Sequence, residues 1–151
     1  MTMKKYMVLF VVITFLCACV GQEKFTLTDI TFCANEPADR SYDQKLDPTY
    51  HQKETVWIYL EAFRFDYREE DQSYVALFDT IFEVYNEKGN CIHQGIQQME
   101  IPSKSKPVYV WFTFFIESGH LEEGIYTVRI TVTDTFSDQT ATAEGTFYIV
   151  K

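Results

Sequence analysis

Glycine, proline and histidine are all scarce in this chain, with 6, 4 and 3 copies in 151 residues. No glycines line up as a phosphate-cradling loop, and none flank a serine as a nucleophile elbow requires. His51, His93 and His120 fall in or near turns without ligand spacing, and no Cys-x-x-Cys or His-x-x-x-His is present. A zinc site needs three or four convergent ligands, so neither a metal nor a cofactor is expected. Asp134, Asp138 and the Glu122–Glu123 pair stand at strand ends without the alternating-acid loop that holds calcium, and read as solvated turn acids. Ser118 and His120 share a tight turn with no supporting acid in a defined place, and the neighbouring Glu69 and Glu70 diverge. No catalytic residue emerges, and the chain is not expected to be an enzyme. Basic residues are also few: 13 Lys and Arg stand against 22 acids, for a net charge of −9 and no basic cluster. That excludes a nucleic-acid backbone as partner. Helical periodicity is missing throughout.

What is present is apolar and aromatic material, 46% hydrophobic and 17% aromatic, enough for one packed domain. A domain of this size buries about two-thirds of its unfolded surface. From Tyr126 to Thr133 apolar and polar residues alternate strictly, with Tyr126, Val128, Ile130 and Val132 on one face. That is the signature of a half-buried strand. Further strands are predicted at 25–34, 54–65, 74–85, 91–101, 108–117 and 139–150, seven in all. The 54–65 run is apolar on both faces and reads as a central strand. Asn86–Asn90 is a hairpin turn with Gly89 supplying the positive φ, a bulge is predicted at Gly95, and Pro102–Pro107 should break the sheet. Residues 35–52 show no period and form a connection long for a compact domain.

The beginning of the chain reads differently. Lys4 and Lys5 precede an apolar run from Tyr6 to Leu16, followed by Leu16-Cys17-Ala18-Cys19. The run has the length of a secretory signal and is too short to span a bilayer. Its last four residues resemble the bacterial lipoprotein lipobox. The resemblance implies residues 1–18 as signal peptide, diacylglycerol on the Cys19 thiol, and an acylated mature terminus followed by a tether to residue 24. Each buried acyl methylene contributes about 0.8 kcal/mol, and more than one chain makes anchoring stable. The expected location is the cell envelope. If the cell has two membranes, Val20, standing where a retention aspartate would be, points to the outer one. Export also permits disulfides. Cys33 and Cys91 are either a bridge worth about 4 kcal/mol or two thiols, and spacing does not decide between them.

Glu122-x-Gly124-x-Tyr126 resembles the tyrosine corner of immunoglobulin-like and fibronectin-type-III-like sandwiches, although Val128 stands where the second disulfide cysteine of antibody domains would be. The resemblance covers residues 25–151 and implies an all-β antiparallel sandwich of about seven strands. The first, second and fifth strands should share one sheet, and the fourth, third, sixth and seventh the other. Trp57, Tyr59 and Phe63 would then lie beside Tyr109, Trp111 and Phe115 on one outer face. Left open, such a face marks a partner surface; alternatively, the 35–52 segment folds over it. The functional expectation is a membrane-anchored, non-enzymatic module that engages an envelope or surface protein. The alternatives are glycan capture on the same aromatic rings and, on fold analogy alone, protease inhibition through the 35–52 loop.

Overall fold

The computed structural model describes residues 23–151, so the expected signal peptide, Cys19 and most of the expected tether lie outside the described residues. The chain is a two-sheet all-β sandwich. Its strands are β1 (Thr26–Leu27), β2 (Thr31–Cys33), β3 (Thr49–His51), β4 (Thr55–Phe63), β5 (Arg68–Glu70), β6 (Ser73–Asn86), β7 (Cys91–Ser103), β8 (Tyr109–Glu117), β9 (Gly124–Asp134) and β10 (Gln139–Val150). In the front sheet, β4 pairs with β8 along one edge and with β1 and β2 along the other. The back sheet runs β3-β10-β9-β6-β7, with the short β5 hairpinned onto β6. The expected division of strands between sheets is therefore met. The described residues contain a single helical turn, 3-10 in type, at Ser118–His120.

The core follows from the alternation. Val56, Ile58, Leu60 and Ala62 of β4 meet Val110 and Phe112 of β8 and Val128, Ile130 and Val132 of β9 in one buried cluster. Phe78 lies between Phe25, Phe65 and Phe112 at centroid distances of 6.1, 5.3 and 5.3 Å. Tilted and edge-to-face rings at such distances add to area burial through their quadrupoles. The Tyr126 hydroxyl donates to the Glu122 carbonyl at 2.9 Å, and its ring stacks on Phe147. That is the tyrosine corner, and Val128 is fully buried two residues on.

Three details depart from the sequence reading, and a fourth settles a choice it left open. The first strand splits in two. Thr26 opposes Phe63 and Leu27 opposes Ala62, but Thr31 opposes Tyr59, one residue out of step. One extra residue turns every following side chain to the other face, so Phe25 and Phe32 both point inward although their parities differ. Second, the register slip in the β6–β7 hairpin falls between Val84 and Tyr85, whereas Gly95 sits in step opposite Phe82. Third, β7 continues through Pro102 to Ser103; it is an edge strand, where proline's missing N–H breaks no ladder. Fourth, Cys33 and Cys91 are both free. Cys33 is buried beside Trp57 in the front sheet, and Cys91 is exposed at the start of the outermost back-sheet strand. Burial, with Asp43 close by, pushes the Cys33 thiol up to about 11.

Candidate functional site: the outer face of the front sheet

β4 and β8 present the six aromatic residues singled out in the sequence on one face. Their register sets Trp57 against Phe115, Tyr59 against Thr113, Glu61 against Trp111 and Phe63 against Tyr109. The rings touch across the strands: Trp57–Phe115 at 5.5 Å, Tyr59–Trp111 at 6.3 Å and Phe63–Tyr109 at 6.2 Å between centroids. The structure thus assembles the whole set, but it does not leave the set uniformly open.

Residues 34–45 form a hairpin-like arm that folds back over β4. The Ala34 N–H donates to the Asp43 carbonyl and the Lys45 N–H to the Phe32 carbonyl, while Ala38 and Ser41 close its tip with reciprocal bonds. At the tip, Arg40 has a φ of 49°, a left-handed conformation that a non-glycine residue adopts only when its surroundings hold it there. What holds it is a clasp. The guanidinium donates twice to the Glu61 carboxylate, both at 2.9 Å, and lies over the Tyr109 ring at 3.7 Å. The Arg40 N–H donates to the Tyr59 hydroxyl, which itself donates to Glu61 at 2.8 Å. Tyr42 packs on Tyr59 at 4.6 Å, and the Tyr109 hydroxyl donates to Asp39. Arg40 beside Glu61 holds that carboxyl below its ordinary value, and burial drives the Tyr59 phenol well above its own.

The outcome is a divided face. Tyr59 is 2% exposed and Glu61 8%, whereas Trp111 is 37% and Phe115 57% exposed. Val108, at the start of β8, is open as well. Trp57, Phe63 and Tyr109 are half-buried along the boundary. The sequence reading missed Arg40, Asp39 and Tyr42. One signal pointed to them: Glu61 stands alone as a charge in an otherwise apolar central strand, and a buried carboxylate needs a partner.

The other polar groups weighed in the sequence have structural roles. The Ser118 hydroxyl donates to the Glu54 carbonyl at 2.6 Å and is not paired with His120. Asp134 is not a solvated turn acid. It is fully buried, accepting the Asp66 and Phe136 N–H groups and the Ser137 hydroxyl. Those bonds tie the β9–β10 turn to the loop after β4. Among the described residues no three His, Cys, Asp or Glu side chains converge.

No family model matches the chain, and no curated protein matches it. Solved structures do. The chain is similar to a CARDB domain from Pyrococcus furiosus, solved in complex with di-metal ions, at 12% identity and a TM-score of 0.41 over 84% of this chain and 88% of that one. It is similar to part of a family 123 glycoside hydrolase from Clostridium perfringens, at 11% identity and a TM-score of 0.45. A third likeness is to part of Bacteroides uniformis β-glucuronidase, at 8% identity and a TM-score of 0.43. The chain spans 23% and 14% of those two enzymes' lengths. The class that the sheets and the tyrosine corner define is the immunoglobulin-like β-sandwich.

Proposed function

We propose that this chain is a non-enzymatic interaction module, held at the cell envelope by lipid on Cys19, that receives a protein partner on the β8 half of its front sheet. The observation that carries the reading is the openness of Trp111 and Phe115 on β8 beside Tyr59 and Glu61 of β4, which the chain itself has sealed. Tryptophan and other aromatics dominate binding hot spots, and apolar groups left adjacent on a surface mark interfaces. A glycan platform fits less well. Sugar hydroxyls need polar side chains beside the rings, and the hydroxyl between these two, on Thr113, is shielded. The 34–45 arm is held against β4 by Arg40 and Tyr42, which favours a partner face over an inhibitor loop.

Two experiments test this. Acyl-lipid labelling should follow the protein and vanish in Cys19→Ala, and labelling that persists contradicts the anchor. The chain purified from detergent-solubilised envelopes should carry a protein that Trp111→Ala/Phe115→Ala no longer retains, with circular dichroism unchanged. Retention of the same proteins by that variant contradicts the face.

A further inference from the structure

Both sheets end on the same flank, and they end unevenly. Phe112 and Phe114 of β8 pack on Phe78 and Phe82 of β6, each at 5.3 Å, so β8 lies over β6. β7 extends the back sheet one strand further, and among the described residues no strand lies over it or pairs with the outer edge of β8. Gly95, Met99 and Ile101 of β7 stand opposite the core residues Phe82, Phe78 and Ala76, yet they are only half-buried. Above them run two hollows of about 750 and 230 Å³. They meet at Thr113, whose hydroxyl oxygen is shielded and has no partner. Neighbouring strands sit about 4.8 Å apart, and the recess has the place of one absent strand.

The two edges are built differently. β7 carries Gly95, Pro102 and the register slip, features that discourage pairing. β8 reads Tyr-Val-Trp-Phe-Thr-Phe-Phe-Ile-Glu, with no glycine, proline or lysine to blunt it. The overhang decides what such an edge can accept. A second copy paired at β8 would bring its own protruding β7 into the layer that β6 and β7 already fill. A single extended segment, with nothing beneath it, meets no such obstacle. Lys106 lines the mouth beside Tyr109, with Asp39 next to it, and Glu117 closes β8 at the other end. A segment antiparallel to β8, cationic where it enters at Glu117 and anionic where it leaves at Lys106, meets an opposite charge at each end.

We infer that the β8 edge and the β7 floor form an acceptor slot for one extended peptide segment of a partner protein. The segment pairs antiparallel with β8. Its apolar side chains, at alternate positions, point onto Gly95, Met99 and Ile101, a polar one meets Gln97 between them, a basic residue lies near Glu117, and a carboxylate lies near Lys106. Backbone pairing supplies the affinity and the alternating pockets the selectivity. The inference shares with the proposed function the idea of an interaction module. Trp111 and Phe115 border both surfaces, and the β7 floor at Gly95 belongs to the slot alone.

The test uses the full chain in detergent micelles and a ten-residue peptide that begins with lysine, alternates valine with threonine and ends in aspartate. Amide hydrogen exchange is the readout. Exchange across residues 109–117 should slow by about tenfold or more, and a peptide with its end charges exchanged should bind about threefold more weakly. A side chain at Gly95 meets nothing within 4 Å of its Cβ. Gly95→Trp should therefore fill the smaller hollow without disturbing the fold and abolish the slowing, whereas Thr131→Ala, on the far face of β9, should keep it. Slowing retained in Gly95→Trp overturns the slot, as does equal slowing by a scrambled peptide or none by any peptide. Finding the free chain to be a dimer with its β8 amides already protected overturns it too. Loss of peptide protection in Gly95→Trp while the cellular partner is retained supports the slot as a surface separate from the aromatic face.

Discussion

β4 and β8 are neighbours of equal length with equally aromatic outer rows, and they meet opposite fates. Over β4 the chain closes on itself, sealing Tyr59 and Glu61 under Arg40 and Tyr42. On β8 the arm reaches only Tyr109 among the described residues, and Trp111 and Phe115 remain open. The composition of the two strands does not account for this. A single carboxylate does: Glu61 gives the 34–45 arm a charged partner to reach for, and β8 has no counterpart among its outward residues between Tyr109 and Phe115. An aromatic row thus becomes core or surface according to whether the loop beside it can satisfy the polar group within it.

The comparison can be broken most severely at Tyr59. Tyr59→Ala removes a buried ring stacked on both Tyr42 and Trp111, and should cost about 3 kcal/mol, read by urea unfolding. Trp111→Ala, on the open side, should cost no more than about 1 kcal/mol. Next comes the clasp. Arg40→Ala leaves the Glu61 carboxylate with Tyr59 alone, and should lower the urea midpoint by less than Tyr59→Ala does. It should also make residues 35–47 newly sensitive to protease.

Acid should undo the same clasp. Glu61 is held below its ordinary value of 4.5, so the stabilisation from its ionisation is fully present above about pH 4.5. It is lost as pH falls further, through the folded-state value. The stability difference between wild type and Glu61→Gln should therefore shrink below that pH, and a difference that grows with acid would contradict the assignment. The smallest effect on stability comes from Phe115→Ser, which should stay within about 0.5 kcal/mol of wild type. The two thiols give a parallel contrast without any stability change. A thiol reagent should label exposed Cys91 in the native chain and spare buried Cys33, and intact mass should be the same before and after reduction.

Much of this fold was legible in the sequence. The long strands were marked by alternation, the sheet division followed from the hairpin at Gly89, and the corner at Tyr126 oriented the whole. The faces of the first strand were not legible, because one extra residue between Leu27 and Thr31 reverses parity and leaves no compositional trace. The six aromatics were found, but not their division. Residues 35–52 have no period, and the contacts of Arg40 with Glu61 and Tyr109 span the sandwich face rather than neighbouring positions. The sheet division already set β8 beside β4; what the sequence hid was the uneven ending of the sheets, with β7 running one strand past β8.

The central claim is that the β8 half of the front sheet is where a partner arrives. It is tested most directly by placing a photoreactive residue at position 115 or, on the solvated back sheet, at position 131, and irradiating living cells. Adducts with another protein from position 115 and none from position 131 are the predicted result. Adducts from position 131 alone, or from both equally, would contradict it.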